Sequence, residues 1–390
     1  MARPLRVAHV VHSLELGGLE NGLVNLLNKL NSSQFDHTLI CLTRAGSFAD
    51  RIKNDRVTIV EIGCSEKSFR FPLLKLARVF RELEADIVHS RGWGAVDAVF
   101  AASVARVNAI LHGEHGREWT DTRGSNWKRN QIRRVIGRLV KRYVVVSECF
   151  RPWLTKECGV KAEKIVYIPN GVDTDRFHPV GERADQKLLN VDSESVVRKL
   201  RTQLGLPSEA MLIGSVGRLD PVKDIPTLLH SFSMLLPGFP NSRLAIVGDG
   251  PLREDLRNKA RSLRIDHAVC WLGRRDDVPA LLQCFDIFVQ CSLFEGMSNT
   301  ILEAMATGLP VIASDTGGNG DLVAGNRNGF LFPVGDVPSL TGAIRQYLSD
   351  ATLRKAHANE SRRRAARQFG ISLMADRYAD LYMRSAGMSA

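Results

Sequence analysis

The 390-residue sequence contains no apolar run approaching the roughly 18 residues that a membrane-spanning helix needs. Its seven cysteines are scattered, with no C-x-x-C spacing, which argues against a disulfide framework and a zinc site and leaves free, mostly buried thiols as the expectation. No G-K-[ST] triplet exists, so a P-loop is excluded, and no low-complexity tract interrupts the chain. The N-terminus carries Arg3 and Arg6 and then a short strand-like run, without the longer apolar core and cleavage site of a signal peptide. The chain is therefore expected to stay in the cytoplasm.

What is present is an ordinary globular composition, 44% hydrophobic and 24% charged, at a length that implies two domains. The net charge of +11 is unevenly placed: residues 1–180 hold 28 Lys+Arg against 19 Asp+Glu, whereas residues 181–390 hold 25 against 23. An excess confined to one half speaks about that half's partner.

Short apolar segments at residues 6–12, 37–42, 57–62, 87–89, 109–112 and 143–146 read as strands, separated by helical or turn segments. That alternation implies a parallel sheet covered on both faces. A polar stretch over 179–200 suits an interdomain connection, and the pattern then restarts with strands at 211–216, 243–247, 268–272, 287–290 and 311–313. Three regions are expected: 1–180, 181–370, and a final helix of 371–390 crossing back toward the first domain.

The segment 285–313 (FDIFVQCSLFEGMSNTILEAMATGLPVIA) carries the most chemistry. A strand leads into a loop with Glu295 and Gly296. A helix then starts near Ser298 and Asn299, both good N-caps, and closes at Gly308. The amides of Met297 to Ile301 offer a diphosphate site. Glu295 and Glu303 flank that helix start, where two carboxylates would repel phosphate but suit neutral polyols, a sugar ring and a ribose. Arg218 and Lys223 follow the first strand of the second half, at the sheet end where ligands bind, and could neutralise a leaving diphosphate.

These pieces resemble the Glu-(seven residues)-Glu signature of retaining glycosyltransferases of the GT-B fold, in family four (glycosyl transferases group 1). Gly17-Gly18-Leu19-Glu20, His115, Pro169-Asn170-Gly171-Val172-Asp173, Gly217-Arg218 with Lys223, and Val247-Gly248-Asp249-Gly250-Pro251 match in order, over nearly the whole chain. Within the family the sequence looks most like sugar transferases of bacterial exopolysaccharide assembly. Asp321 stands where the family often has Glu, and Gly116 where many members have Asp.

The resemblance implies an α/β architecture of two Rossmann-like doubly wound parallel-sheet domains facing across a cleft. It implies metal-independent transfer from a nucleotide sugar, UDP-sugar favoured over GDP- or ADP-sugar, to a glycan or polyprenyl-diphosphate-linked acceptor. Glu303 would bond the ribose and Glu295 the donor sugar. Arg218, Lys223 and the amides around Gly296, Met297, Ser298, Asn299 and Thr300 would hold the diphosphate. Gly17 and Gly18 would admit the phosphates close to the backbone, Gly273 and Arg274 would lie near the base, and His115 would sit beside the transferred sugar. Retention implies attack from the face of departure, with the leaving phosphate as base.

Asp173-Thr174-Asp175 resembles a metal-binding D-x-D but lies in the Asn-Gly-Val-Asp turn, so no metal is expected. Gly248-Asp249-Gly250 lacks the third glycine of a dinucleotide fingerprint, position 253 being Arg. Residues 117–142 hold nine basic residues against Glu118 and Asp121. A helix from Asn126 to Arg142 would gather Trp127, Ile132, Val135, Ile136, Leu139 and Val140 on one face. It would either pack that face on the sheet or lie against an anionic membrane surface. No stacking aromatics interleave the charges as nucleic-acid binding would want. The rivals are a sugar-nucleotide epimerase of the same fold, for which the sequence offers no proton-abstracting pair, and a non-catalytic glycan-binding scaffold, which predicts a lost carboxylate or cation.

Overall fold

The computed structural model describes residues 3–15, 17–31, 33–46, 48–64, 73–117, 121, 124–182, 193–207 and 209–388. Glu118 and the middle of the polar stretch after Pro179 lie outside the described residues. The chain divides into two units, Met1–Gly171 with Ile371–Ala390, and Val172–Gly370.

In the first unit, β1 (Leu5–Val11), β2 (Phe35–Cys41), β3 (Val57–Glu61), β4 (Ile87–Arg91), β5 (Ala109–Glu114), β6 (Arg142–Val145) and β7 (Ile165–Tyr167) form one parallel sheet in the order β3-β2-β1-β4-β5-β6-β7. Central strands such as β4 and β5 are buried along their whole length, as a sheet covered on both faces requires. Helix α1 (Gly18–Lys29) and the Ile371–Ala386 helix cover one face. Leu26 and Leu30 meet Ile371, Met374, Tyr378 and Tyr382 there in one core with Val7, Ile87 and Leu111. Helices α2 (Leu73–Glu82), α3 (Asp97–Ala105) and α4 (Trp127–Leu139) pack in succession.

The second unit repeats the plan. Strands β8 (Leu212–Val216), β9 (Arg243–Val247), β10 (Val269–Gly273), β11 (Ile287–Gln290), β12 (Val311–Ser314) and β13 (Gly329–Phe332) form a parallel sheet in the order β10-β9-β8-β11-β12-β13. Both sheets reverse direction next to their first strand, between β1 and β4 and between β8 and β11. In doubly wound folds that switch point opens a crevice at the strand C-termini.

Several elements went unread in the sequence. β7 is three residues long, and β13 opens on Gly329, whose missing Cβ lets the Val311 carbonyl approach within 2.1 Å of the Cβ position. The helix Ser193–Gln203 occupies the end of the stretch read as a polar connection. α4 also corrects the expected face. Its buried residues are Asn130, Arg133, Ile136 and Gly137, whereas Trp127, Ile132, Val135 and Leu139 are exposed, Trp127 at 66%. The reason is electrostatic: buried Glu114 on β5 draws Arg133 inward at 2.9 Å, so that of the expected face Ile136 and Val140 stay buried while Trp127, Ile132, Val135 and Leu139 turn outward.

Candidate functional site

The switch point of the second unit collects the chemistry. β8 ends at Val216, and the Gly217 that follows it lies so close to Gly248 (φ +135), just past β9, that a Cβ on Gly248 would lie 1.9 Å from the Gly217 carbonyl oxygen. The chain then turns through Arg218 and Asp220 into a short 3-10 turn, Pro221–Lys223, capped by the Asp220 carboxylate on the Val222 amide. Arg218 donates Nε to Asp220 at 2.6 Å and leaves most of its guanidinium to solvent.

Lys223 points the other way. Its Nζ lies 2.5 Å from Glu295 Oε1, which also accepts from Ser292 Oγ at 2.6 Å and Gln290 Nε2 at 3.0 Å. The Leu293 amide donates to the Val222 carbonyl at 2.7 Å, tying the glutamate loop to the lysine turn. Gln290, buried at the end of β11, turns its amide oxygen to Thr300 Oγ1 at 3.3 Å. One side chain thus links the Glu295 carboxylate to the next helix.

That helix is Asn299–Ala306, with Ser298 as N-cap. Its Oγ takes the Ile301 amide at 3.3 Å, so Ile301 is removed from the amides expected to face a ligand. Met297 and Ser298 are buried, and Glu303 stands half-buried one turn into the helix, which ends before Gly308 at φ +77. Gly296 lies between Glu295 and the helix start. Gly317 (φ +53) packs on the same loop so tightly that a Cβ would fall 1.6 Å from the Glu295 carbonyl oxygen. Gly273 ends β10 at φ +62, followed by exposed Arg274.

In the first unit, Gly17 caps α1 in an extended conformation that any residue adopts. The space beside it holds the Glu20 carboxylate, with Oε2 2.0 Å from a Cβ built on Gly17, and burial pushes the Glu20 carboxyl up. A phosphate reaching Gly17 and Gly18 therefore has to displace that carboxylate. His115 follows β5, and its Nε2 is buried. Burial, then the nearby Arg91 guanidinium, holds its pKa down at about 3, so the ring is neutral at physiological pH.

Sequence reasoning missed Gln290, Ser292 and Gly317 as supports of Glu295. A glutamine ending an otherwise apolar strand was the available signal for Gln290.

Residues 196–364 match the family model described as glycosyl transferases group 1, and residues 16–176 the model described as glycosyltransferase family 4. The chain is 30% identical to the UDP-Gal:alpha-D-GlcNAc-diphosphoundecaprenol alpha-1,3-galactosyltransferase of Escherichia coli, over 97% of each chain. It belongs to glycosyltransferase family 4. The putative glycosyltransferase EpsF of Bacillus subtilis is a further relative of this glycosyltransferase, 26% identical over 80% of the chain and 79% of that protein. Its fold matches that of Anabaena HepE, solved in complex with UDP, with a TM-score of 0.83, 20% identity, and coverage of 97% of this chain and all of that one. The enzyme thus has the GT-B fold. Among its described residues no helix is long and apolar enough to cross a membrane.

Proposed function

We propose that this glycosyltransferase moves a sugar, with retention and without a metal ion, from a UDP-sugar to a polyprenyl-diphosphate-linked or glycan acceptor in cell-surface polysaccharide synthesis. The observation that carries this reading is the Lys223–Glu295 pair set ahead of the Asn299–Ala306 helix, a cation, a hydroxyl acceptor and an amide-rich terminus within one loop system. The acceptor class rests on likeness to the enterobacterial galactosyltransferase, whose name specifies a diphosphoundecaprenol-linked sugar.

In this reading Lys223 and Arg218 compensate the charge that develops on the diphosphate as the anomeric C–O bond breaks. Glu295 accepts hydrogen bonds from sugar hydroxyls and Glu303 from the ribose. The acceptor hydroxyl attacks the anomeric carbon from the face the diphosphate leaves, and its proton passes to the departing phosphate oxygen. His115, neutral, orients the sugar. Positive charge comes from side chains and helix amides, which makes a metal unnecessary. The exposed apolar residues of α4 sit among Lys128, Arg129, Arg134 and Arg138, with no acidic residue between Asn126 and Arg142. They form a surface for anionic lipid, where such an acceptor resides.

Transfer is tested with UDP-, GDP-, ADP- and TDP-sugars, a polyprenyl-diphosphate sugar acceptor and a chelator, following nucleotide release and the product anomer by NMR. Acceptor-dependent UDP release that survives chelation, with the donor's anomeric configuration kept, is expected. Inversion, chelator sensitivity, or epimerisation of the donor without acceptor would overturn the reading.

A further inference from the structure

The sheet face of the first unit beneath the Ile371–Ala386 helix holds a polar cluster inside the core. His9, His37, His89 and Arg91 are each at most 2% exposed. Arg91 donates Nη1 to His9 Nδ1 at 2.9 Å and Nη2 to the Tyr382 hydroxyl at 3.1 Å. Its guanidinium can only donate, and this fixes the protons around it. His9 Nδ1 must accept, so its proton lies on Nε2, 3.0 Å from His37 Nδ1. The Tyr382 hydroxyl, accepting from Arg91, has one proton left for His89 Nδ1 at 3.0 Å. His89 therefore carries its own proton on Nε2.

That His89 Nε2–H is buried, and no group accepts it among the described residues. The Nε2 of His115 is likewise buried and unpartnered. Both border the space beside Gly113, where a Cβ would lie 3.0 Å from His115 Nε2 and 3.3 Å from His89 Nε2. The His89 donor and the His115 ring nitrogen, each costly to leave unpaired, thus share one small space kept clear by a glycine.

We propose that Arg91, Tyr382 and His89 form a buried relay that fixes the tautomer of His115, with His89 donating from Nε2 to His115 Nε2 through one water in the space beside Gly113. Arg91, Tyr382 and His89 are positioning residues. The inference rests on the reading of His115 as a group beside the transferred sugar and deepens it. The relay leaves the His115 proton on Nδ1, so the ring offers the sugar an N–H. Burial and the Arg91 guanidinium hold His37 at about 4 and His115 at about 3, so none of this rearranges near neutral pH. A neutral N–H donor can orient a sugar hydroxyl while the leaving phosphate takes the acceptor proton.

The test is long-range 15N–1H NMR of histidine-labelled, ligand-free enzyme at neutral pH, with the His115 signals assigned by difference from His115→Ala. Tyr382→Phe and His89→Gln are compared, with near-UV circular dichroism confirming the fold. UDP release from UDP-glucose and UDP-galactose, with a polyprenyl-diphosphate sugar as acceptor, gives kcat and KM. The wild type should show His115 protonated at Nδ1 alone. Tyr382→Phe should mix the tautomers and lower kcat about 10- to 100-fold, with KM changed by less than about threefold. His89→Gln, whose amide N–H stands near the lost Nε2–H, should hold the tautomer better than His89→Phe does. A wild-type His115 protonated at Nε2, or an unchanged tautomer in Tyr382→Phe, overturns the relay. Full activity in His115→Ala would instead overturn the role of His115 beside the sugar, whatever the spectra show.

Discussion

Glu295 holds Lys223: one carboxylate oxygen takes the lysine ammonium at 2.5 Å while also accepting from Ser292 and Gln290. If, as proposed, Lys223 faces the diphosphate and Glu295 the sugar, the two roles belong to one network, and an arriving donor has to compete for both.

Lys223→Ala should lose about 1.5–3 kcal/mol of stability, the usual worth of a hydrogen bond to a charged group. The larger effect should fall on the ligand. UDP at 100 times its dissociation constant should add about 2.7 kcal/mol to the wild type and almost nothing to the variant. Thermal unfolding with and without UDP reads both, and an equal UDP shift in the two proteins would remove Lys223 from the donor site.

Gly317→Ala should be damaging out of proportion to one methyl group. The residue adopts φ +53, and its Cβ would run into backbone rather than a movable side chain. A loss of about 2 kcal/mol or more is expected, together with weakened UDP binding as the Glu295 loop shifts. Urea unfolding and calorimetric titration measure the two. Wild-type values in both would show the loops to be independent.

Stability should fall in acid because of buried histidines. Burial holds His37 and His112 at about 4 when folded, against about 6.5 in the unfolded chain. Between those limits the unfolded state binds more protons. Stability should therefore be fully present above about pH 6.5 and decline as pH falls toward 4, by up to about 1.4 kcal/mol per pH unit for each such histidine. Urea midpoints from pH 7.5 to 4.5 give the slope. His112→Gln should make it shallower, and an unaltered slope would count against the neutral buried imidazole.

Binding to vesicles containing anionic lipid should depend on the outward stripe of α4. Trp127→Ala with Leu139→Ala should reduce it at any salt, and Lys128→Glu with Arg138→Glu chiefly at low salt, each removed cation costing about 1 kcal/mol. Co-sedimentation with anionic and with zwitterionic vesicles separates these. Equal binding of wild type and variants would assign the stripe to something other than lipid.

The strand pattern was legible because a parallel sheet buried on both faces favours short, mostly apolar runs, which is how β1, β8 and β11 announce themselves. The start of the Asn299–Ala306 helix was legible too, since Ser298 supplies a cap of familiar chemistry. Long-range electrostatics was not. Nothing near Arg133 in sequence says that Glu114, at the end of strand β5, would draw it into the core and turn Trp127 to solvent. The partnership of Lys223 with Glu295 was hidden for the same reason: the two residues are joined by sheet order, which periodicity does not reveal.

The first unit is discontinuous, its core sealed by Ile371, Met374, Tyr378 and Tyr382. During translation those residues appear only after the whole of Val172–Gly370, a delay on the order of 10–40 s at ordinary ribosomal speeds. The second unit, contiguous in sequence, can therefore mature first while the earlier-made half waits with part of one sheet face uncovered beside α1. That order makes the nascent N-terminal half a natural client for chaperones. It also implies that expressing the two halves as separate polypeptides cut at Gly171 would strand the first without its closing helix.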